Sequence, residues 1–274
     1  MGSIFGSLTA LSIGLSDLFG RRMVVAHSAL MAATTIQFVS VVFALIAAVV
    51  LKGSPTTLDL AIGGASGVGM GLGLGCYYIG ISKSTSTIVS PLVGTLSAVV
   101  PFLYVAITRS PPSQIAVVGA VVAFAGLALV SSGSSRFQSP LLGIIWGTIS
   151  GLGYGFGISI LIEVSPSSGS WPVVSQRIVA GLVLVAASAQ AKNLAFPRHG
   201  VRGAALAAGT FAACSSIFFI IGSQANPGQA VVTASMFPAV SVGVGRALFG
   251  DTVSRNQLIG LIISLIGVAG VVAG

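Results

Sequence analysis

The stretch GGASGVGMGLGLGCYY, from Gly63 to Tyr78, decides how this chain can fold. It lies inside a longer uncharged run from Leu60 to Ser82. In water so many glycines would prevent a helix, because each costs about 1 kcal/mol relative to alanine. In a lipid bilayer the backbone has no other hydrogen-bonding partner, so a long apolar stretch stays helical. The stretch therefore predicts a membrane-spanning helix.

Glycines recur every four residues along this predicted helix and form one stripe. Because glycine lets a neighbouring helix approach closely, the stripe predicts a helix-packing face. Tyr78 ends the stripe, which leaves a second interpretation open: the stripe leads to a polar cavity marked by aromatic side chains. The members of the stripe are Gly63, Gly67, Gly71 and Gly75.

The composition places the whole chain in a membrane. Of 274 residues, 54% are hydrophobic and only 6% are charged, whereas soluble domains carry about 25% charged residues. A span needs about 20 apolar residues, and ten apolar segments separated by short polar breaks can be counted. The net charge of +8 falls in connections and at helix ends, which indicates lipid headgroups rather than nucleic acid as partners.

The two halves of the chain resemble each other. A shift of 137 places the first span on the sixth, so that Gly14 and Phe19 meet Gly151 and Phe156. A shift of 141 places the third to fifth spans on the eighth to tenth, and Gly119 and Gly126 then meet Gly260 and Gly267. Each half holds five spans, an odd number, so the second half crosses the membrane in the opposite sense. The sequence thus predicts an all-α integral membrane protein of ten transmembrane helices. It would be built as two inverted five-helix repeats, 1–137 and 138–274, within a single membrane domain.

Each half also ends in the same order of elements: a proline-bearing helix, a short hydrophilic turn, and a helix with paired glycines. The two segments are SAVVPFLYVAITRSPPSQIAVVGAVVAFAG from Ser97 and SMFPAVSVGVGRALFGDTVSRNQLIGLIISLIG from Ser235. With YIGISKSTS at 78–86, these segments make the chain resemble the EamA-type transporters of the drug/metabolite transporter superfamily. The resemblance implies export of amino acids, aromatic or otherwise neutral, and of related metabolites across a bacterial-type cytoplasmic (inner) membrane. It departs at the first helix, where Asp17 lies in a region that often holds tryptophan.

Asp17 is the main candidate for chemistry, because an ionisable group inside a span costs several kcal/mol and needs a reason. It lies four residues before Arg21, so an ion pair near the membrane surface is one interpretation. The other is a group that binds a substrate ammonium or a coupling proton. Under the repeat, Asp17 corresponds to Tyr154.

One face of the predicted sixth helix is a second candidate for lining a cavity, and it carries Trp146, Ser150 and Tyr154. Interfacial anchoring is the alternative, above all for Trp146. A second glycine stripe for helix packing runs beside it. Its members are Gly143, Gly147, Gly151 and Gly155.

Pro101 and Pro238 lie within spans, where each frees a carbonyl four residues back. In Pro101's case this carbonyl belongs to Ser97. Such carbonyls serve a substrate or a hinge in transporters, although a packing kink is the alternative. Polar and aromatic candidates from the second half complete the predicted cavity, although serines in spans often bond their own helix. They are Ser215, Ser216, Phe219 and Ser235.

The remaining charges are interpreted as snorkelling groups or salt bridges at helix ends. They are Glu163, Arg177, Arg246, Asp251 and Arg255. Neither a metal-binding motif nor a Walker A motif occurs in the sequence, so no metal, cofactor or use of ATP is expected. The pattern also offers no acid/base constellation of an enzyme.

Two indications of membrane orientation disagree. Odd-numbered loops receive nine Lys/Arg, namely Arg21, Arg22, Lys83, Arg136, Lys192, Arg198, Arg202, Arg246 and Arg255, and even-numbered loops receive Lys52, Arg109 and Arg177. The positive-inside rule then favours external termini. The family resemblance implies that both termini are cytoplasmic.

The sequence as a whole favours a secondary active or facilitated transporter that works by alternating access. Its partners would be a small-molecule substrate and the bilayer, and a monomer is compatible with the pattern. The alternative is a multidrug or nucleotide-sugar type carrier on the same fold. A channel or a membrane-embedded enzyme is less favoured.

Overall fold

A computed structural model of the chain describes residues 1–26, 28–84, 86–109, 111–131, 140–190, 199–237, 239–240, 243 and 254–274. Ten α-helices occur within these ranges. They are α1 Gly2–Ala26, α2 Ala29–Leu51, α3 Thr57–Lys83, α4 Ser86–Thr108, α5 Gln114–Ser131, α6 Pro140–Leu161, α7 Trp171–Gln190, α8 Arg202–Ala225, α9 Pro227–Ala234 and α10 Arg255–Ala273. Short 3₁₀ turns precede α7 and α8, at Pro166–Ser168 and His199–Val201.

Seven of the described helices are long and apolar enough to cross a membrane: α1, α2, α3, α6, α7, α8 and α10. Two shorter apolar segments, Leu92–Thr108 and Gln114–Leu129, lie in α4 and α5. Large apolar side chains such as Ile107 and Ile266 are exposed on the outside of the bundle, as expected of a lipid-facing surface. The predicted helical membrane protein is therefore confirmed at this level. The count of ten spans stays a prediction, because α9 has eight described residues.

The helix starts in this fold are set by short polar side chains. Thr56 and Asp59 form a capping box at the start of α3, in which each side chain bonds the other residue's backbone N–H. The carboxylate of Asp59 also accepts a hydrogen bond of 2.9 Å from the Ser165 N–H. Asp59 is thus bonded on both sides and fixes the α6–α7 connection to α3. A second capping box, Ser254 with Gln257, starts α10.

Helix α3 holds a central position because glycines on two of its faces admit other helices. Its first glycine stripe lies against α7, which runs parallel to it. A β-carbon on Gly71 would lie 2.9 Å from the carbonyl oxygen of Ala180, which leaves no room for a side chain. The successive contacts along the stripe are Gly63 with Pro172, Gly67 with Gln176, Gly71 with Ala180, and Gly75 with Leu184.

A second face of α3 meets α6 in an antiparallel crossing. Gly69 and Gly73 of α3 lie against Gly153, Tyr154 and Gly157 of α6. The other glycine stripe of α6 is turned toward α4 instead. In that contact Gly147 meets Leu92, Gly151 meets Leu96 and Gly155 meets Val100, while Gly143 is buried.

The helices α5 and α10 form an antiparallel pair around glycines from both. A β-carbon on Gly119 would lie 2.6 Å from the backbone nitrogen of Val271 and 2.7 Å from the carbonyl oxygen of Gly267. Gly126 has the reciprocal contact, with Gly260 and Ser264. In the predicted repeat, Gly119 corresponds to Gly260 and Gly126 to Gly267. Exchanging the two helices therefore reproduces the same pair of glycine contacts.

The main helix pairings of the described residues follow the same reciprocity. Helix α3 packs against α6 as α8 packs against α1. In the same way, α4 packs against α6 as α9 packs against α1. The pairing of α3 with α7 matches that of α8 with α2. Replacing each helix by the one five places away therefore carries these main pairings onto one another, although the contact of α1 with α2 has no comparable counterpart between α6 and α7.

We expect Gly119→Leu to destabilise the protein strongly, because the new side chain has no room between α5 and α10. Overpacking of this kind costs about 1–3 kcal/mol or more, enough to lower the Tm of the purified protein by about 2 °C or more. The matched control is Gly203→Leu in α8, where a β-carbon meets no atom within 4 Å. Equal Tm values for the two variants would contradict the close contact.

Candidate functional site

The main charged group of the interior is Arg177, which the sequence pattern placed at a helix end. That prediction is wrong. Arg177 is only 2% exposed, because it lies about two turns inside α7 and its side chain is directed into the bundle. Without Arg177, the even-numbered loops hold only two basic residues, Lys52 and Arg109. The positive-inside rule therefore favours external termini more strongly than it did in the sequence count.

The guanidinium of Arg177 bonds two neighbouring helices. Its Nη1 donates to Oε1 of Gln37 on α2 at 3.1 Å. Its Nη2 donates to the carbonyl oxygen of Ala212 and to the hydroxyl of Ser216, both on α8. The Nε–H is buried and has no acceptor among the described protein atoms. Among the described residues the charge is thus held by hydrogen bonds to neutral groups, which use three of its five N–H donors.

Neighbouring polar side chains extend this arrangement into a five-residue cluster. Gln176 donates from Nε2 to the Ser66 hydroxyl at 2.7 Å and accepts from Ser216 at 2.8 Å. Ser66 in turn donates to the carbonyl oxygen of Gly157 at 2.6 Å. We call Gln37, Ser66, Gln176, Arg177 and Ser216 the Arg177 network. It connects α2 and α3 of the first half with α6, α7 and α8 of the second.

Three tyrosines lie in a single packed group that also contains Leu74 and Leu184, and we call them the tyrosine cluster: Tyr77, Tyr78 and Tyr154. Tyr78 is 4% exposed, and its ring centroid is 5.5 Å from that of Tyr77. The Tyr78 hydroxyl faces Gly20 of α1, where a β-carbon would lie 3.0 Å from it. The cluster therefore lies between α1, α3 and α6.

Asp17 lies beside these groups. It is partly buried on α1, one turn before Gly20. The next residue toward the N-terminus, Ser16, donates to the carbonyl oxygen of Ala208 at 2.9 Å, one turn along α8 from the Ala212 carbonyl that Arg177 bonds. Asp17 thus lies on α1 between the Ser16 bond to α8 and the contact of Gly20 with the Tyr78 hydroxyl.

The remaining predicted residues of α6 are turned toward α3. Ser150 is fully buried and donates to the carbonyl oxygen of Gly73 at 2.6 Å. Trp146 lies against Gly80 at the end of α3, and the Nζ of Lys83 is 5.8 Å from its ring centroid. Ser150 therefore joins two helices, and the place of Trp146 at the end of α3 fits an anchor.

Several predicted cavity residues bond their own helix. The hydroxyls of Ser97, Ser215 and Ser235 donate to the carbonyl oxygens of Gly94, Ala212 and Val231. Pro101 is buried in α4. Phe219 is buried in a separate apolar group with Leu161 and Val231, and the structure does not bring it to the tyrosine cluster. Pro238 lies outside the described residues.

Glu163 pairs with Arg109, as expected of a charge at a helix end. The Arg109 Nη2 is 3.1 Å from a carboxylate oxygen of Glu163, and the Tyr104 hydroxyl donates to the same oxygen at 2.9 Å. Both charged side chains are more than a third exposed. Within the described part of the chain, no three His, Cys, Asp or Glu side chains lie together as a metal site would require.

Comparison with known proteins agrees with this architecture. Residues 1–132, just under half of the chain, match the EamA-like transporter family. No match is found among curated proteins. A solved crystal structure of another protein is similar over 99% of this chain and 97% of the other, with a TM-score of 0.79 and 11% identity. At that identity the likeness shows the fold alone. The family match and the apolar helices together indicate a multi-pass membrane protein.

Sequence reasoning missed most of the Arg177 network, although a signal was present. Gln176 and Arg177 are adjacent polar residues inside the apolar segment that became α7, and Gln37 lies in the middle of α2. Polar residues within a span face the bundle interior more often than lipid. Counting Arg177 as a loop charge concealed this.

We expect Gln176→Leu to destabilise the protein, because it removes the partner of both Ser66 and Ser216. Buried polar groups left without a partner cost about 1–3 kcal/mol, which a lower Tm in thermal unfolding would report. Glu163→Gln serves as the comparison, since an exposed ion pair contributes at most about 1 kcal/mol. A Gln176→Leu variant as stable as wild type would contradict the importance of the network for folding.

Proposed function

We propose that the chain is an EamA-type transporter of the drug/metabolite superfamily, with ten transmembrane helices in two inverted five-helix repeats. The family match over residues 1–132 supports the class. The reciprocal helix pairings support the repeat, because an exchange of α1–α5 with α6–α10 carries the main pairings onto one another. Two halves related in this way have two equivalent arrangements of similar energy, which alternating access requires.

The observation that carries the proposal is the position of the polar groups. The Arg177 network and the tyrosine cluster lie where helices of the two halves meet. The network is buried, and the cluster is buried at Tyr78 and partly buried at Tyr77 and Tyr154. In transporters built from inverted repeats, substrates bind at this interface near the middle of the membrane. Asp17, Tyr78, Tyr154 and Arg177 would then contact the substrate.

The glycine contacts would let the halves move against each other. The parallel pair α3–α7 and the antiparallel pair α3–α6 are built from backbone and small side chains, which do not interlock as large side chains would. Hydrogen bonds that cross between the halves, such as Arg177 to Gln37, would exchange partners as the halves rock. The substrate would be exposed to one side of the membrane at a time.

The proposed substrates are amino acids, aromatic or otherwise neutral, and related small metabolites, exported across the cytoplasmic membrane. A tyrosine cluster beside two opposite charges supports this class, since aromatic rings offer a stacking surface and the charges complement a zwitterion. A multidrug or nucleotide-sugar type carrier is the alternative, and competition between substrate classes in the same assay distinguishes them. A proton or the substrate's own gradient would drive the movement.

The test is transport by the purified protein in liposomes. We expect labelled phenylalanine to exchange across the membrane in the presence of the protein and not in empty liposomes. We also expect Asp17→Asn to lower the rate at least tenfold, because it removes the anionic group beside the tyrosine cluster. Glu163→Gln is the control, since its carboxylate lies at an exposed helix end and pairs with Arg109.

A pH gradient applied to the same liposomes separates the two driving forces. If a proton drives export, the gradient accelerates wild type and leaves Asp17→Asn unaffected. If the substrate's own gradient drives it, neither protein responds. The proposal fails if no amino acid moves under any gradient. Asp17 is removed from the mechanism if Asp17→Asn transports at the wild-type rate with the same response.

A further inference from the structure

Within the described part of the chain, the hydrogen-bond partners of the Arg177 guanidinium are all neutral. A guanidinium has five N–H donors in a fixed planar fork, and here neutral oxygens of Gln37, Ala212 and Ser216 accept from it. In the described part of the chain no carboxylate bonds to it. The two acidic groups at helix ends, Asp59 and Glu163, are bonded elsewhere.

A buried cation that is bonded by neutral groups alone is costly. Within a bilayer, water and neutral dipoles reduce this cost only in part, and hydrogen bonds to neutral oxygens do not offset the rest. The buried Nε–H of Arg177 adds to the cost, because it has no acceptor among the described protein atoms. Both deficits are removed by one anion that lies in the plane of the guanidinium.

The shape of the guanidinium decides which anion fits. Its fork matches a carboxylate, which accepts two parallel N–H···O bonds, and this geometry distinguishes arginine from lysine. We propose that Arg177 binds the carboxylate of the transported molecule and thereby makes a carboxylate a requirement for transport. The proposal rests on the transport function proposed above and names the chemical class of substrate that the site accepts.

The surroundings of Arg177 fit the rest of such a molecule. The Ala208 and Ala212 carbonyls, bonded by Ser16 and by Arg177, are four residues or about 6 Å apart along α8. The backbone of α1 at Ser16 and Asp17 therefore lies about one helical turn from the level of Arg177. An amino acid could place its carboxylate at Arg177, its ammonium at Asp17 and its side chain at the tyrosine cluster.

The experiment compares ligands that differ only in the carboxylate. Purified full-length protein in liposomes exchanges labelled phenylalanine, and unlabelled phenylalanine, phenylalanine amide and phenethylamine compete with it. A site built to bond a polar group rejects an analogue that lacks it. We expect both analogues to compete at least about tenfold more weakly than phenylalanine against wild type. In Arg177→Gln this preference disappears, and in Arg177→Lys it is reduced.

Arg109→Gln is the matched control, because it removes an arginine that lies at a helix end and is about half exposed. It should keep the wild-type preference. If wild type transports phenylalanine but the amide competes equally well, the carboxylate site is overturned while the transport function stands. The same conclusion follows if Arg177→Gln keeps the preference. Should Arg177→Gln fail to fold, Arg177→Lys decides, since it retains the charge but not the fork.

Thermal unfolding tests the site even if wild type moves no amino acid, an outcome in which the proposed function fails. Phenylpyruvate and benzoate, carboxylates without an ammonium group, should raise the Tm of wild type and of Arg109→Gln. They should leave the Tm of Arg177→Gln and Arg177→Lys nearly unchanged. Equal shifts in all four proteins, or no shift in wild type, would overturn the carboxylate site.

Discussion

The structure depends on one constraint, that a polar group within the bilayer must find its partner inside the protein. This constraint keeps a glycine-rich segment such as Gly63–Tyr78 helical, because the backbone can bond only to itself. It also explains why Ser66, Ser150 and Ser16 donate to carbonyl oxygens of other helices. Glycine contacts bring the backbones close enough for these short side chains to reach. Close packing and interhelical hydrogen bonding are thus two results of the same requirement.

The general architecture followed from the sequence because it rests on local properties. Helical spans come from composition and length, and the spacing of glycines marked Gly119, Gly126, Gly260 and Gly267 as similar positions of the two halves. That these glycines contact one another across α5 and α10 emerged only from the fold. The contents of the site were harder to predict. Whether a hydroxyl bonds its own helix, as Ser215 does, or another helix, as Ser66 does, depends on the distance to a neighbour that only the fold determines.

Arg177 shows the same limit for a charge. Its position about two turns into a span is compatible with a side chain that reaches the membrane surface and with one that is directed inward. The side chain is directed inward because α2 and α8 present hydrogen-bond acceptors beside it. These acceptors, Gln37 and Ser216, come from distant parts of the chain. By contrast, the predicted repeat already singled out Tyr154 as the counterpart of Asp17. The two residues lie on α6 and α1, whose contacts with α3 and α8 correspond to each other.

The reciprocal scaffold and the polar site differ in one respect that bears on function. The glycine contacts of α5 with α10 use corresponding glycines from both halves. The buried cation, Arg177, has no such counterpart. The positions of α2 that correspond to Arg177, from 36 to 40, hold no cationic side chain, and Asp17 corresponds to a neutral Tyr154. A symmetric scaffold with a symmetric set of charges would place like charges near each other at the centre, where repulsion in a low dielectric is strong. One anion and one cation, each on a different half, avoid that repulsion. Under the proposed function, a ligand with separated charges of its own would bond to both halves at once.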